Sequence, residues 1–134
     1  MIEKQLFLNS VVAEIELRYI PRIPFSQLPH VSESMDAYHF FITTWDKDKL
    51  QFIEQFRLML LNDANKVLGI CTISTGCPAY IMIEKKILFG TALKANASKI
   101  ILAYNHPSGK LNPSTNDTLI TKRVKEAGQI LGIE

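Results

Sequence analysis

One junction constrains this chain more than any other stretch. Lys99 to Tyr104 (KIILAY) is a short apolar run of strand length, expected to be buried on both faces. It runs straight into NHPSGKLNP, a loop dense in turn formers. Ser114 to Leu131 then carries Leu119, Ile120, Val124, Ala127, Ile130 and Leu131 at helical spacing, and Gly132 fits the stop position after a helix. A buried strand that feeds a loop and an amphipathic helix is a joint of α/β layer folds. Side chains at the carboxyl end of such a strand face a crevice, so this loop is where a site is expected.

The rest of the chain reads as further layers. Val11 to Ile20 (VVAEIELRYI) alternates and is rich in β-branched residues, which predicts a strand. Pro21, Pro24 and Pro29 follow, and proline removes backbone donors and fixes φ. Residues 1–30 therefore read as an N-terminal strand and proline-rich arm, and residues 31–134 as the compact domain. Ser32 and Ser34 are good N-cap residues, Asp36 suits a first helical turn, and Met35 to Thr44 reads as a helix. A polar turn, DKDK, leads to the apolar strand Phe56 to Leu61. Asn62 to Asn65 is turn chemistry, and Lys66 to Ser74 reads as the return strand of an antiparallel hairpin. Gly76, Cys77 and Pro78 break the chain again. Glu84 to Ala97 reads as a helix, weakened at Gly90 by about 1 kcal/mol relative to alanine. The order strand, helix, strand, strand, helix, strand, helix predicts an α/β architecture, a mixed sheet flanked by helices.

Composition narrows the function classes. The 134 residues suit one domain, and the formal charge is only +2. That excludes a polybasic chain and offers little phosphate-driven affinity, so direct nucleic-acid binding is not expected. No apolar run nears the ~20 residues of a membrane span. Glu3 stands where an export signal would be basic. A cytoplasmic chain without membrane association is the expectation. Cys71 and Cys77 are too few for a disulfide scaffold or a four-cysteine zinc site. Cys71 reads as a small core residue and Cys77 as a loop thiol.

The junction also carries the chemistry. His106 is two residues beyond Tyr104, so both point to one side if the extended geometry persists. Asp117 follows in the first turn of the last helix. An imidazole and a carboxylate placed this way suit Zn²⁺. A catalytic zinc also needs an open position and a nearby general base, and Glu54, ahead of Phe56, is the candidate. Ser114 and Asp117 in S-x-x-D form are equally a plain capping pair, and one serine can serve both ends. His30 and His39 have no partners at ligand spacing and read as structural or surface residues. Lys122, Arg123 and Lys125 read as a solvated basic face.

These residues resemble the signature of the MPN/JAMM (JAB) metallopeptidases: His106-Pro-Ser-Gly109, then Ser114, then Asp117. The surrounding phrases EQFRLMLLNDANKVLG, ALKANASKIILAYNHPSG, PSTND and TKRVKEAGQILGI resemble its bacterial RadC-like branch, over roughly Val31 to Glu134. The resemblance implies an α+β fold with cytidine-deaminase-like layering. It implies hydrolysis of peptide or isopeptide bonds in a protein or peptide substrate, on zinc held by an H-x-H pair and an aspartate. Position by position, His106 and Asp117 match metal ligands, Glu54 matches the general base, and Ser114 matches the oxyanion-stabilising serine. Tyr104 stands where the pattern has its first histidine.

That departure changes the expected chemistry. A neutral imidazole offers a lone pair at pH 7, whereas a phenol, with a pKa near 10, must first lose a proton. The resemblance therefore implies a metal-impaired site. Two further departures are local. CPAYIMIEKK lacks the family's Pro-Arg-Glu wording, and the family's final strands, which begin with an Asp-His pair after LGIE, are expected to be missing. An uncovered sheet edge favours association, including a homo-oligomer. Three functions stand side by side: a zinc-dependent hydrolase, an inactive binding or assembly module, and an accessory protein linked to DNA repair.

Overall fold

The computed structural model describes residues 1–16, 18–76 and 83–134. The elements run α1 (Ile2–Val11), α2 (Ser34–Thr44), α3 (Lys47–Leu50), β1 (Glu54–Leu61), β2 (Val67–Gly76), α4 (Lys85–Lys94), β3 (Lys99–Tyr104) and α5 (Thr115–Leu131), with a 3-10 turn at Phe25–Gln27. The α/β reading holds. The three strands form one sheet in the order β2-β1-β3, with β1 antiparallel to both neighbours.

β1 lies in the middle because it is apolar on both sides, and all eight of its residues are buried. Phe56, Leu58 and Leu60 join Leu88, Phe89 and Ala92 of α4 and Val124 of α5 in one core. Met59 and Leu61 turn the other way and join Ala37 and Phe41 of α2 with Trp45. Helices thus cover both faces of the sheet. Leu58, Met59 and Leu88 are fully enclosed at 0% exposure, and each such side chain contributes about 1.5–3 kcal/mol of transfer free energy. Arg57 interrupts the run. Its Nη1 donates to Thr44 Oγ1 at 3.0 Å and to the Phe41 carbonyl at 3.4 Å, and its guanidinium lies 5.1 Å from the centre of the Trp45 ring. Those contacts offset the cost of a cation in the core.

The predicted hairpin forms. Asn62 Oδ1 accepts from the N–H groups of Ala64 and Lys66 at 3.0 and 2.9 Å, and Asn65 takes the left-handed conformation that asparagine tolerates. The arm is tied to this hairpin. Val67 N–H donates to the Pro29 carbonyl at 2.8 Å and Val31 N–H to the Asn65 carbonyl at 3.0 Å. Tyr19 hydroxyl donates to the Leu68 carbonyl at 3.0 Å.

Some expectations need correction. Among the described residues no strand forms over Val11–Ile20. Ile2–Val11 is helical, and the described residues after it pair with no strand, leaving Val12, Ile15 and Ile20 exposed. Alternation marks a strand only where a neighbour supplies a ladder, and none lies alongside here. The DKDK turn is the one-turn helix α3, capped by Asp46, whose carboxylate accepts from Asp48 N–H. α2 is capped by Glu33, with Asp36 Oδ2 accepting from the N–H groups of Ser32 and Glu33. β3 is half-buried throughout rather than enclosed, because it is an edge strand. The break expected at Cys77 and Pro78, and the loop role of Cys77, lie outside the described residues. No helix among the described residues is long and apolar enough to cross a membrane.

Candidate functional site

The register of the sheet builds the site. β1 and β3 pair with Phe56 opposite Tyr104, so continuing the ladder by two residues sets Glu54 opposite His106. Their side chains meet, with His106 Nδ1 4.0 Å from Glu54 Oε1. On the other side of the imidazole, Nε2 lies 3.6 Å from Asp117 Oδ2. One histidine thus sits between two carboxylates, both nearly buried.

Each of the three is held by local structure. His106 opens a turn closed by Gly109 N–H donating to the His106 carbonyl at 2.9 Å, and Gly109 takes φ +78°, a conformation that favours glycine. Asp117 is fixed by a reciprocal capping box. Its N–H donates to Ser114 Oγ at 3.1 Å, and its Oδ2 accepts from Ser114 N–H at 2.7 Å. The Ser114 hydroxyl is therefore engaged as the cap of α5, next to the carboxylate that faces His106. Thr121 Oγ1 donates to the Asp117 carbonyl one turn later at 2.8 Å.

Asn105, which sequence reasoning passed over as one more turn former, locks the junction. Its Oδ1 accepts from Gln55 N–H at 2.6 Å, and its Nδ2 donates to the carbonyls of Leu50 and Ile53 at 2.7 and 2.9 Å. One amide side chain thereby clamps the start of β1 to the end of β3, between the two positions that carry Glu54 and His106. Its partners lie about fifty residues upstream, so no local pattern announces it.

Tyr104 forms a wall of the pocket. Its ring stacks on Phe56 with centroids 6.0 Å apart and meets His106 edge-on at 5.4 Å. Burial pushes its phenol pKa up, and the charges of Asp117 and Glu54 add to the rise, while Thr121 partly offsets it. Burial likewise raises the Glu54 carboxyl, reinforced by Asp117 and opposed by His106. Among the described residues no three His, Cys, Asp or Glu side chains are placed to hold one metal ion together. His30 bonds Ser32 Oγ at 3.0 Å, and His39 packs against Tyr38, both away from this pocket.

Helices packed on both faces of an antiparallel sheet give the α/β layering of a JAB-type domain. Residues 31–134 match the family described as the RadC-like JAB domain, and the chain belongs to that family. It is 43% identical over 81 residues to a UPF0758 protein of Rubrobacter xylanophilus, covering 60% of this chain and 36% of the relative. A UPF0758 protein of Caldanaerobacter subterraneus is 44% identical over 81 residues, at 60% and 35%. One from Moorella thermoacetica is 42% identical over 89 residues, at 65% and 39%. The chain thus spans little more than a third of the length of these relatives.

Proposed function

We propose that this domain is a JAMM-type hydrolase scaffold for peptide or isopeptide bonds whose grip on zinc is impaired. The observation that carries the reading is the meeting of Glu54, His106 and Asp117 in one pocket, 4.0 and 3.6 Å across its two contacts. The family pattern matches those three positions and Ser114.

The donor set does not fit a zinc ion held by three protein ligands. One imidazole is present. Where a second would stand, Tyr104 presents a buried phenol beside two carboxylates, and that setting keeps its proton on. A protonated phenol offers a poor lone pair to a cation. Asp117 Oδ2 is also already accepting from Ser114 N–H. What the residues do offer is a partly buried cluster of polar groups. The Tyr104 hydroxyl can donate to a carbonyl, and the Glu54 carboxyl, raised by burial, holds a proton more readily than an exposed acid.

The same Tyr104 supports a second reading, a catalytically inactive binding or assembly module. An accessory role in DNA repair, in the cytoplasm, rests on the family resemblance, with a charge of +2 against strong direct phosphate binding.

Zinc analysis of chain purified without chelators, then equilibrated with micromolar free zinc, tests the proposal beside Tyr104→His. The native chain is expected well below one equivalent and the variant near one. A tight equivalent in the native chain overturns the impairment, and a variant that stays empty overturns the hydrolase scaffold. For the module reading, His106→Ala leaves fold and association unchanged, and a peptide hydrolysis that this variant loses overturns it.

A further inference from the structure

α4 carries a stripe that the fold does not use. Lys86, Gly90 and Lys94 are spaced four residues apart, so they share one face of the helix, and all three are exposed. Glycine weakens a helix interior relative to alanine. Gly90 has no positive φ to account for its presence, and a Cβ built on it meets nothing within 4 Å. No described neighbour therefore demands the missing side chain. What it leaves is open space between two lysines.

That space belongs to a groove of about 450 Å³ between α4 and the arm. Arg18 of the arm lines the same groove, so three cations border it, and no carboxylate is among its described lining residues. None of the three has a carboxylate within 4 Å among the described residues. The whole chain has a formal charge of only +2, so this is a local concentration of charge. Lys86 and Lys94 stand about 12 Å apart along the helix at 1.5 Å rise per residue. Each ends a flexible four-carbon stem, so both ammonium groups can reach one anion set above Gly90. Between the cations the walls are apolar, formed by Ile20, Leu60 and Ile87. Tyr19 adds an aromatic ring, held in place by the 3.0 Å bond from its hydroxyl to the Leu68 carbonyl.

We infer that this groove binds a nucleoside phosphate, with its phosphates above Gly90 among Lys86, Lys94 and Arg18 and its planar base against the apolar wall and the Tyr19 ring. Arginine and lysine are the side chains that phosphate oxygens recruit. The groove has the size of a small-molecule site rather than of a track for a polymer. A longer polyanion fits less well, because Glu84, whose Oε1 accepts from Lys86 N–H at 3.1 Å, sets a carboxylate at one end of the stripe. Inorganic phosphate alone would leave the apolar wall unused. The inference does not rest on the hydrolytic reading, because Glu54, His106 and Asp117 line no part of this groove.

The test uses the full chain, labelled with ¹⁵N, and ADP as the probe in metal-free buffer. The amide resonances of Gly90 and Thr91 are expected to shift and saturate, half-way at about 1 mM or below. Adenosine is expected to give no saturation, and inorganic phosphate, which lacks the apolar contact, binding at least ~10-fold weaker. Lys86→Ala and Lys94→Ala are each expected to weaken ADP at least ~5-fold, whereas Lys125→Ala on α5 leaves it unchanged. Gly90→Leu fills the space with a better helix former and is expected to abolish saturation; if it fails to fold, the lysine variants decide. No saturation by ADP at about ten times that concentration overturns the inference, as does equal binding of adenosine, unchanged binding by folded Gly90→Leu, or a loss in Lys125→Ala equal to that in Lys94→Ala. An oligothymidylate or an oligoglutamate peptide that saturates the same amides at lower concentration than ADP overturns it too, and assigns the groove to an extended polyanion.

Discussion

Replacing Asn105 by alanine removes the clamp between β1 and β3. Three hydrogen bonds go at once: one accepted from Gln55 N–H at 2.6 Å and two donated to Leu50 and Ile53 carbonyls at 2.7 and 2.9 Å. A typical intramolecular hydrogen bond contributes about 1 kcal/mol net, and a partner left buried without one costs at least as much. Gln55 is itself buried beside Glu54, so water replaces its lost acceptor poorly. The expected loss is therefore about 3 kcal/mol, roughly a hundredfold in the folding equilibrium. With a urea slope of about 1.5 kcal/mol/M, the unfolding midpoint falls by about 2 M and the slope is unchanged. Asn105→Asp does not rescue it, because the acceptor survives but both donors are replaced by a charge facing two carbonyls. The amide resonances of Gln55 and His106 should shift in the folded variant, reporting that the two sides of the pocket have parted. A loss below about 1 kcal/mol, with those resonances in place, would refute the claim that this side chain holds the junction together.

Three other expectations follow from the same geometry. Ser114→Ala removes the side-chain half of the α5 capping box and should cost about 1 kcal/mol, read as a lowered thermal midpoint; an unchanged midpoint means that the cap is idle. The Cys71 thiol is half-buried and its pKa is raised by burial, so in a Cys77→Ser background iodoacetamide should label it well below the rate of free cysteine near pH 8. Labelling at the free rate would contradict that environment. The Glu54 carboxyl is raised in the folded chain, so the fold holds its proton where the unfolded chain has lost it. Its contribution is fullest below the ordinary value of 4.5 and declines as pH rises through the higher folded value. Glu54→Gln should therefore gain stability relative to the native chain as pH rises above the ordinary value of 4.5, and parallel stability curves would exclude the effect.

Much of this architecture could be read from the sequence wherever the signal was local. The apolar run of β3, the helical spacing of α5 and the Ser114–Asp117 cap each sit within a few residues, and β3 begins and ends where the pattern places it. The hairpin was readable for the same reason, two apolar runs joined by turn residues. The pairing of Glu54 with His106 is different, because it depends on the β1–β3 register, which spans fifty residues. The resemblance to the JAMM pattern points to those residues, and the ladder explains why they meet. Asn105 escaped because asparagine after a strand reads as turn chemistry whatever its side chain grips. Val11–Ile20 misled because alternation records which side chains could line a sheet, while a strand also needs an edge to join.

The seam between arm and hairpin bears on where this molecule can be cut. The family match starts at residue 31, which invites an excised unit beginning there. Yet Val67 N–H is satisfied by the Pro29 carbonyl, Lys66 reaches the Leu28 carbonyl, and His30 bridges to Lys66. A clone started at Val31 would strip β2 of its first backbone partner and leave a raw end beside the turn. The natural scissor point lies upstream of Leu28.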